Sequence, residues 1–335
     1  MHDIISLPHD RSEFFETEKY WNAVKNFFEY ELKNDGEDLS SQFFLQDNKN
    51  SEIYVIVKES GVFAGKQELD FLLKHFFSKE KYEIEGTWSP YFSEERALED
   101  GNWVEKNQKI FRARGNAYAL MKFERVFLNV LSRMSGIATQ ARRLTGILEK
   151  FPVKIAATRK TQWSYLDKKA VHIGGGLTHR MGLFDAIMLK ENHQIIGEYQ
   201  LDISGYLDSL DDVKTKNQKK QTSHFLEIEV ETPEEFQKIF DIFWETKTRA
   251  GQEMPKVIML DNFSPEKIRD ILADLPQKQN KQARHTQKIF LEASGGISER
   301  TLAEYAKTGV DVVSMGGLTN FVKPLDYSMR VKKEA

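Results

Sequence analysis

The chain has 335 residues, of which 40% are hydrophobic, 12% aromatic and 30% charged, enough apolar material for a packed core and too much for wholesale disorder. It has no cysteine, which excludes disulfides, cysteine-ligated zinc, iron–sulfur clusters and a thiolate nucleophile. With 48 basic against 51 acidic residues the formal net charge is −3, so there is no global pull toward nucleic acid or an anionic membrane, and any anion site must be a local concentration of arginine and lysine.

The opening stretch, MHDIISLPHDRSEFFETEKY, has neither a basic n-region nor an apolar h-region, and no signal peptide is expected. No apolar run approaches the roughly 18–20 residues of a membrane span. A soluble, cytoplasmic protein is the expectation. Residues 14–32 are aromatic-rich and helix-compatible, 52–57 form a β-branched run, and Glu59-Ser60-Gly61 turns the chain into residues 62–65. From 116 to about 148 the spacing of Leu120, Phe123, Phe127, Leu131 and Met134 is helical.

Beyond that the character changes. Six short apolar runs, at 153–157, 186–189, 225–230, 257–260, 289–293 and 310–314, each end in a polar or glycine cluster. Helix-like stretches such as 265–275 and 299–307 lie between several of them. Alternation of this kind predicts a parallel sheet or barrel, with chemistry at the carboxyl ends of the strands; a barrel fits better than an open doubly wound sheet. Three polar segments, 208–224, 244–255 and 276–288, are expected to be surface insertions.

The densest chemical signal is Thr158-Arg159-Lys160-Thr161, followed by Gly174-Gly175-Gly176 and His179-Arg180. Consecutive glycines allow close backbone approach and free N–H groups for an anion, and guanidinium suits bidentate carboxylate or phosphate recognition. A flexible turn with surface bases is an equal reading of that motif taken alone. Lys190 and His193 follow an apolar strand, which puts the lysine amine at a strand end. Glu227, Glu229 and Glu231 alternate with apolar residues, so all three carboxylates share one face. In a doubly covered sheet such a face needs water, a cation or a substrate hydroxyl; an edge strand with a solvated face is the alternative. Asp261 ends the next strand, and with Glu229 it is placed to hold Mg²⁺ indirectly or to bind ribose hydroxyls. Ser294-Gly295-Gly296 and Met315-Gly316-Gly317 close the late strands, where barrels often bind phosphate. There is no G-x-x-x-x-G-K-[ST], H-E-x-x-H or G-x-S-x-G motif. The histidines show no metal-ligand spacing, and His2, His9, His75, His224 and His285 read as ordinary residues.

Taken together, these residues resemble the quinolinate phosphoribosyltransferase family. The likeness runs through NDGEDL (34–39), ESGVFAG (59–65), ERVFLN (124–129), LSRMSGIAT (131–139), TRKT (158–161), HRMGLFDAIMLKENH (179–193), IMLDNF (258–263), LEASGGI (291–297) and GVDVVSMGGLT (309–319). It implies an α/β fold: an N-terminal α/β sandwich over 1–128, joined by the C-terminal segment 322–335, and an incomplete, about seven-stranded α/β barrel over 129–321. It implies a reaction of quinolinate with phosphoribosyl pyrophosphate that yields nicotinate mononucleotide, pyrophosphate and CO₂, with Mg²⁺. Arg159, His179, Arg180 and Lys190 are then expected at the quinolinate pocket, with Arg125 supplied by a neighbouring subunit of a homodimer or higher oligomer, and Thr158 is expected among the substrate-binding residues. Lys160, Glu229, Asp261, Ser294, Gly295, Gly296, Met315, Gly316 and Gly317 are expected to bind phosphoribosyl pyrophosphate and, at Glu229 and Asp261, the metal; Lys160, Lys190, Glu229 and Asp261 are the expected catalytic groups. The chain departs from the family at Gln162-Trp163-Ser164-Tyr165, where T-P-G-x-R is usual, and at Asn320, where histidine is common. The excess of apolar residues around 123–131 is expected to serve a subunit interface.

Overall fold

A computed structural model describes residues 6–45, 49–78, 82, 84–89, 97–193, 223–245 and 254–332. Its strands are β1 (Asn50–Val57), β2 (Gly61–Val62), β3 (Glu85–Trp88), β4 (Trp103–Val104), β5 (Lys109–Asn116), β6 (Lys154–Ala156), β7 (Ile187–Leu189), β8 (Leu226–Val230), β9 (Lys256–Asp261), β10 (Ile289–Ser294), β11 (Val312–Ser314) and β12 (Tyr327–Val331). By contacts the chain forms two units that interleave along the sequence rather than dividing it once. One comprises Met1–Arg11, Leu144–Arg159 and Leu177–Gly317; the other comprises Ser12–Arg143, Lys160–Gly176 and Leu318–Ala335.

The second unit is built on an antiparallel sheet in the order β12-β1-β5-β3. In β1, Ile53, Val55 and Val57 alternate into the core and are fully buried, as a two-residue side-chain period requires. The long helix Ala117–Ile147 lies in the same unit, and its Phe127 ring packs on Trp88 and Phe111 at centroid distances of 5.6 and 4.9 Å. Strand β12 returns the end of the chain to β1, pairing Tyr327 with Val57. Phe123, Val126, Phe127, Val130 and Leu131 are all buried within the chain itself. The expected apolar interface face is therefore absent: this helix carries more than one apolar stripe because its own unit packs around several of its sides.

The first unit carries a parallel sheet in the order β6-β11-β10-β9-β8-β7. Leu177 adds a seventh, single-residue position through a parallel bridge to Ala156, and no pairing joins Leu177 to β7 among the described residues, which leaves the barrel incomplete. Strand β8 sits between β7 and β9, so its two glutamates, Glu227 and Glu229, do not lie on a solvated edge strand, and Glu231 follows its last residue. Segment 276–288 is no simple surface insertion. It contains the helix Lys281–Thr286, whose Arg284 is buried and, with Lys281 and His285, surrounds the Asp311 carboxylate at 3.4, 2.8 and 2.7 Å. Burial alone would raise that carboxyl, but the His285 hydrogen bond and the two cations hold it below the usual carboxylate range. His285 is thus not an ordinary residue. Most of 208–224 and 244–255 lies outside the described residues.

Candidate active site

All strands of the barrel unit run the same way, so their carboxyl ends share one rim. Thr158 and Arg159 follow β6, His179 and Arg180 follow Leu177, and Lys190 follows β7. Glu229 is the penultimate residue of β8, Asp261 closes β9, Ser294 closes β10 ahead of Gly295 and Gly296, and Met315, Gly316 and Gly317 follow β11. Lys160 and Arg125 belong to the other unit.

The acidic side of the rim is compact. Lys190 Nζ is ion-paired with Glu229. Carboxylate oxygens of Glu229, Glu231 and Asp261 lie within 4.8 Å of one another, a spacing that suits a hard divalent cation keeping part of its water. Asp261 accepts a hydrogen bond from Asn262 Nδ2 at 2.7 Å, and Asn262 N donates to Ser294 O at 2.9 Å. Gly295 has φ +94°, and a Cβ there would stand 2.2 Å from Asn262 Oδ1. Only glycine fits that turn.

The cationic side centres on Arg180. It is buried, its Nη1 donates to Ala186 O at 3.2 Å, and its Nε has no partner among the described residues. Burial lowers its pKa first; Glu227 opposes that shift, and the positive charge of the exposed Arg159 adds to it. A buried guanidinium N–H with no acceptor is costly, and an incoming carboxylate oxygen would satisfy it.

His179 is only 4% exposed and turns inward, away from solvent. Its φ is +54°, its Nδ1 accepts from Arg180 N at 2.7 Å, and its Nε2 lies 3.5 Å from Glu227 and 3.3 Å from Glu292. Burial lowers the imidazole pKa, and the two carboxylates oppose burial and raise it. The Arg180 amide opposes a second proton, since it needs the Nδ1 lone pair. The geometry favours the neutral ring with its proton on Nε2, facing the carboxylates. Along β8 and the residue after it, the glutamates grade from buried Glu227, through half-buried Glu229, to exposed Glu231, one file rising from the barrel interior to its rim.

Gly174-Gly175-Gly176 is not an anion cradle. The three amides donate to Ala170, His172 and Val171 carbonyls at the end of the helix Tyr165–Ile173. A Cβ on Gly174 would meet Ala138 O at 2.5 Å, so that glycine lets two helices approach. The altered stretch at 162–165 is organised by the buried Asp167, which accepts from Gln162 N and Trp163 N at 3.1 and 3.2 Å. Lys160 is exposed and its carbonyl accepts from Thr319 Oγ1 at 2.7 Å. The Arg125 side chain is 64% exposed, with Glu124 at 3.9 Å.

Sequence reasoning passed over Glu292, His9, Arg11 and Asp185. Glu292 carried a usable signal, a lone carboxylate inside the apolar run IFLEAS, the same pattern that singled out Glu227. His9 and Arg11 lie in a stretch with no periodicity, far in sequence from their partners.

Family models for the quinolinate phosphoribosyl transferase N-terminal and C-terminal domains match residues 38–135 and 137–330. A probable carboxylating nicotinate-nucleotide pyrophosphorylase of Bacillus subtilis is 33% identical over 296 residues, covering 88% of each chain. One of Methanocaldococcus jannaschii is 34% identical over 291 residues, covering 84% of this chain and 90% of its own. The solved nicotinate-nucleotide pyrophosphorylase of Francisella tularensis superposes with a TM-score of 0.72 at 27% identity, over 93% of this chain and 96% of that one. With both domain models matched in order, and relatives aligned over most of their length, this chain belongs to the quinolinate phosphoribosyltransferase family.

Proposed function

We propose that the protein is a carboxylating nicotinate-nucleotide pyrophosphorylase, which joins quinolinate to phosphoribosyl pyrophosphate and releases nicotinate mononucleotide, pyrophosphate and CO₂ in NAD biosynthesis. The observation that carries the substrate side of this reading is Arg180, a buried guanidinium whose Nε has no acceptor among the described residues and whose neighbour Arg159 is also cationic. Two adjacent ring carboxylates supply the missing acceptors, and several cations at short range offset the cost of desolvating a dianion.

In this reading Arg159, Arg180 and Lys190 orient the pyridine ring, with Thr158 beside them. The ring nitrogen attacks C1′ of the ribose while pyrophosphate leaves with the bonding electrons. Lys160 and the backbone N–H groups of Gly295, Gly296, Gly316 and Gly317 stabilise the leaving group by preorganised electrostatics, while Met315 N donates to Ala156 O at 3.0 Å and only positions that turn. Glu229 and Asp261 orient the ribose hydroxyls and balance the positive charge that develops on the sugar. The resulting pyridinium accepts the electron pair released as CO₂ departs from the carbon beside the nitrogen, and a proton then takes the carboxylate's place. The Glu229–Glu231–Asp261 cluster fits Mg²⁺, whose contribution when bound is to neutralise charge on the pyrophosphate. His179 acts from beneath, holding Arg180 N rather than reaching the ring. Arg125, exposed on its helix, completes the pocket of a neighbouring subunit in a homodimer or larger assembly.

Titration calorimetry with quinolinate and with nicotinate tests the assignment. Quinolinate is expected to bind at least tenfold more tightly, and Arg180→Ala to remove that preference. Equal affinities, or a preference that survives Arg180→Ala, would mean a different acceptor or a different pocket.

A further inference from the structure

Residues 7–11 lie in the barrel unit and make a series of contacts with its interior. Leu7 packs against Phe225, Val257 and Phe290, and against Ala156, Leu177 and Val312. Phe225, Val257, Phe290 and Val312 all lie at or just before the amino ends of their strands, so Leu7 fills the end of the barrel opposite the catalytic rim. His9 goes deeper. It is fully buried, its ring stands edge-on to His179 at 5.0 Å, and its Nε2 is 2.7 Å from Glu292 Oε2.

From there the segment binds the stretch that carries Arg180. His9 O accepts from His179 N at 2.8 Å and from Thr178 Oγ1 at 3.1 Å. Arg11 N donates to Thr178 Oγ1 at 2.9 Å. The Arg11 guanidinium donates to the Asp185 carboxylate at 3.2–3.3 Å, and Asp185 in turn accepts from Met181 N at 2.8 Å. Residues 178, 179 and 181 are thus tied on both sides of Arg180, in the gap where no strand pairing joins Leu177 to β7 among the described residues. His179 is held in the left-handed region, a strained conformation for a residue with a Cβ, and such a conformation persists only where surrounding bonds over-determine it.

We propose that residues 7–11 form a positioning strap for the substrate-binding Arg180, with Arg11 and His9 as positioning residues. The inference rests on the reading of Arg180 given above. A metal is the competing occupant of the inner cluster, since donor atoms of His9, His179, Glu227 and Glu292 lie within 4.8 Å of one another. The Arg180 N–H on His179 Nδ1 opposes it: that bond leaves the ring proton on Nε2, and a protonated nitrogen cannot ligate.

Steady-state kinetics of Arg11→Ala, Arg11→Lys, His9→Ala and Arg180→Ala separate the possibilities, with thermal unfolding of each variant recorded alongside. Arg11→Ala is expected to raise the quinolinate KM at least tenfold while the KM for phosphoribosyl pyrophosphate stays within twofold. Arg11→Lys, which keeps an ion pair with Asp185, is expected to recover the quinolinate KM to within threefold of the parent. A folded Arg11→Ala with an unchanged quinolinate KM, beside an Arg180→Ala whose KM rises, would overturn the strap and leave the pocket assignment standing. An Arg180→Ala with unchanged KM would overturn the pocket assignment itself, and the strap with it. If Arg11→Ala does not fold, His9→Ala carries the same comparison, because it removes the imidazole but keeps the carbonyl on His179. Stoichiometric zinc, iron or manganese in the purified protein, lost in His9→Ala, would make the cluster a metal site and overturn the role given to His9.

Discussion

Arg133 and Asp167 form a bidentate pair, Nε to Oδ1 and Nη2 to Oδ2, both at 2.7 Å, with the Asp167 side chain completely buried. The same carboxylate accepts from Thr161 Oγ1 and from the Gln162 and Trp163 amides, and Arg133 lies over the Trp163 ring at 5.2 Å. Arg133 Nη2 also donates to Thr319 O, while Thr319 Oγ1 donates to Lys160 O. The stretch that lacks the family's Pro-Gly turn is therefore shaped by one buried ion pair, and the backbone of Lys160 hangs from the same network.

Arg133→Ala leaves Asp167 buried without its countercharge, and the expected loss of stability is about 3–5 kcal/mol. Arg125→Ala, on an exposed side chain of the same helix, is expected to change stability by no more than about 0.5 kcal/mol. Urea unfolding of the two variants checks this; equal, small effects would mean that the pair does not hold the loop.

Glu229→Gln and Asp261→Asn are each expected to lower turnover at least tenfold while changing quinolinate affinity less than threefold. Activity is expected to vanish in excess chelator and to return with Mg²⁺ or Mn²⁺. Turnover assays paired with calorimetry read both quantities, and full activity without a divalent cation would contradict the role given to the acidic rim.

Asp100 accepts from the Gly65 and Lys66 amides at 2.8 and 2.9 Å. Burial, and then the charge of Glu68, raise its carboxyl to about 6. A carboxyl raised on folding binds its proton more tightly in the native state, so its contribution to stability is full below about pH 4 and is lost as pH rises through 6. At about 1.4 kcal/mol per unit, the loss is on the order of 3 kcal/mol. Asp100→Asn keeps an oxygen for both amides and has no proton to lose. Its unfolding free energy is expected to lack that decline, so it gains on the parent between pH 4 and 7. Parallel pH curves for the two proteins would contradict this.

Much of this was legible in the sequence. The six apolar runs became β6 to β11 because a parallel strand covered on both faces must be apolar along its length, and polar residues then mark where it emerges. Glu229 and Asp261 were found by that contrast. The inner cluster was not, because His9 meets His179 only through folding across the chain, and nothing local distinguishes a histidine destined for a barrel core. The three glycines at 174–176 misled for a related reason. Glycine serves helix packing and anion binding equally well, and only the partners of its amides separate the two uses. The helix around Phe123 misled because an apolar surplus looks the same whether a partner subunit or the chain's own sheet covers it.

If Arg125 serves a neighbouring pocket, Arg125→Ala and Arg180→Ala are each expected to be strongly impaired alone at low quinolinate and to complement when mixed. With free exchange at equal ratio, about half of the dimers are mixed, and each mixed dimer holds one intact site. No recovered activity despite demonstrated exchange would place Arg125 in its own subunit's service or in none.

The central claim is the carboxylating reaction, and the stoichiometry of CO₂ release tests it most directly. With quinolinate labelled in the carboxylate beside the ring nitrogen, and phosphoribosyl pyrophosphate and Mg²⁺ in excess, one labelled CO₂ is expected for each nicotinate mononucleotide formed, and no nucleotide is expected from nicotinate under the same conditions. Nucleotide that retains the label, or a faster reaction with nicotinate, would contradict the account.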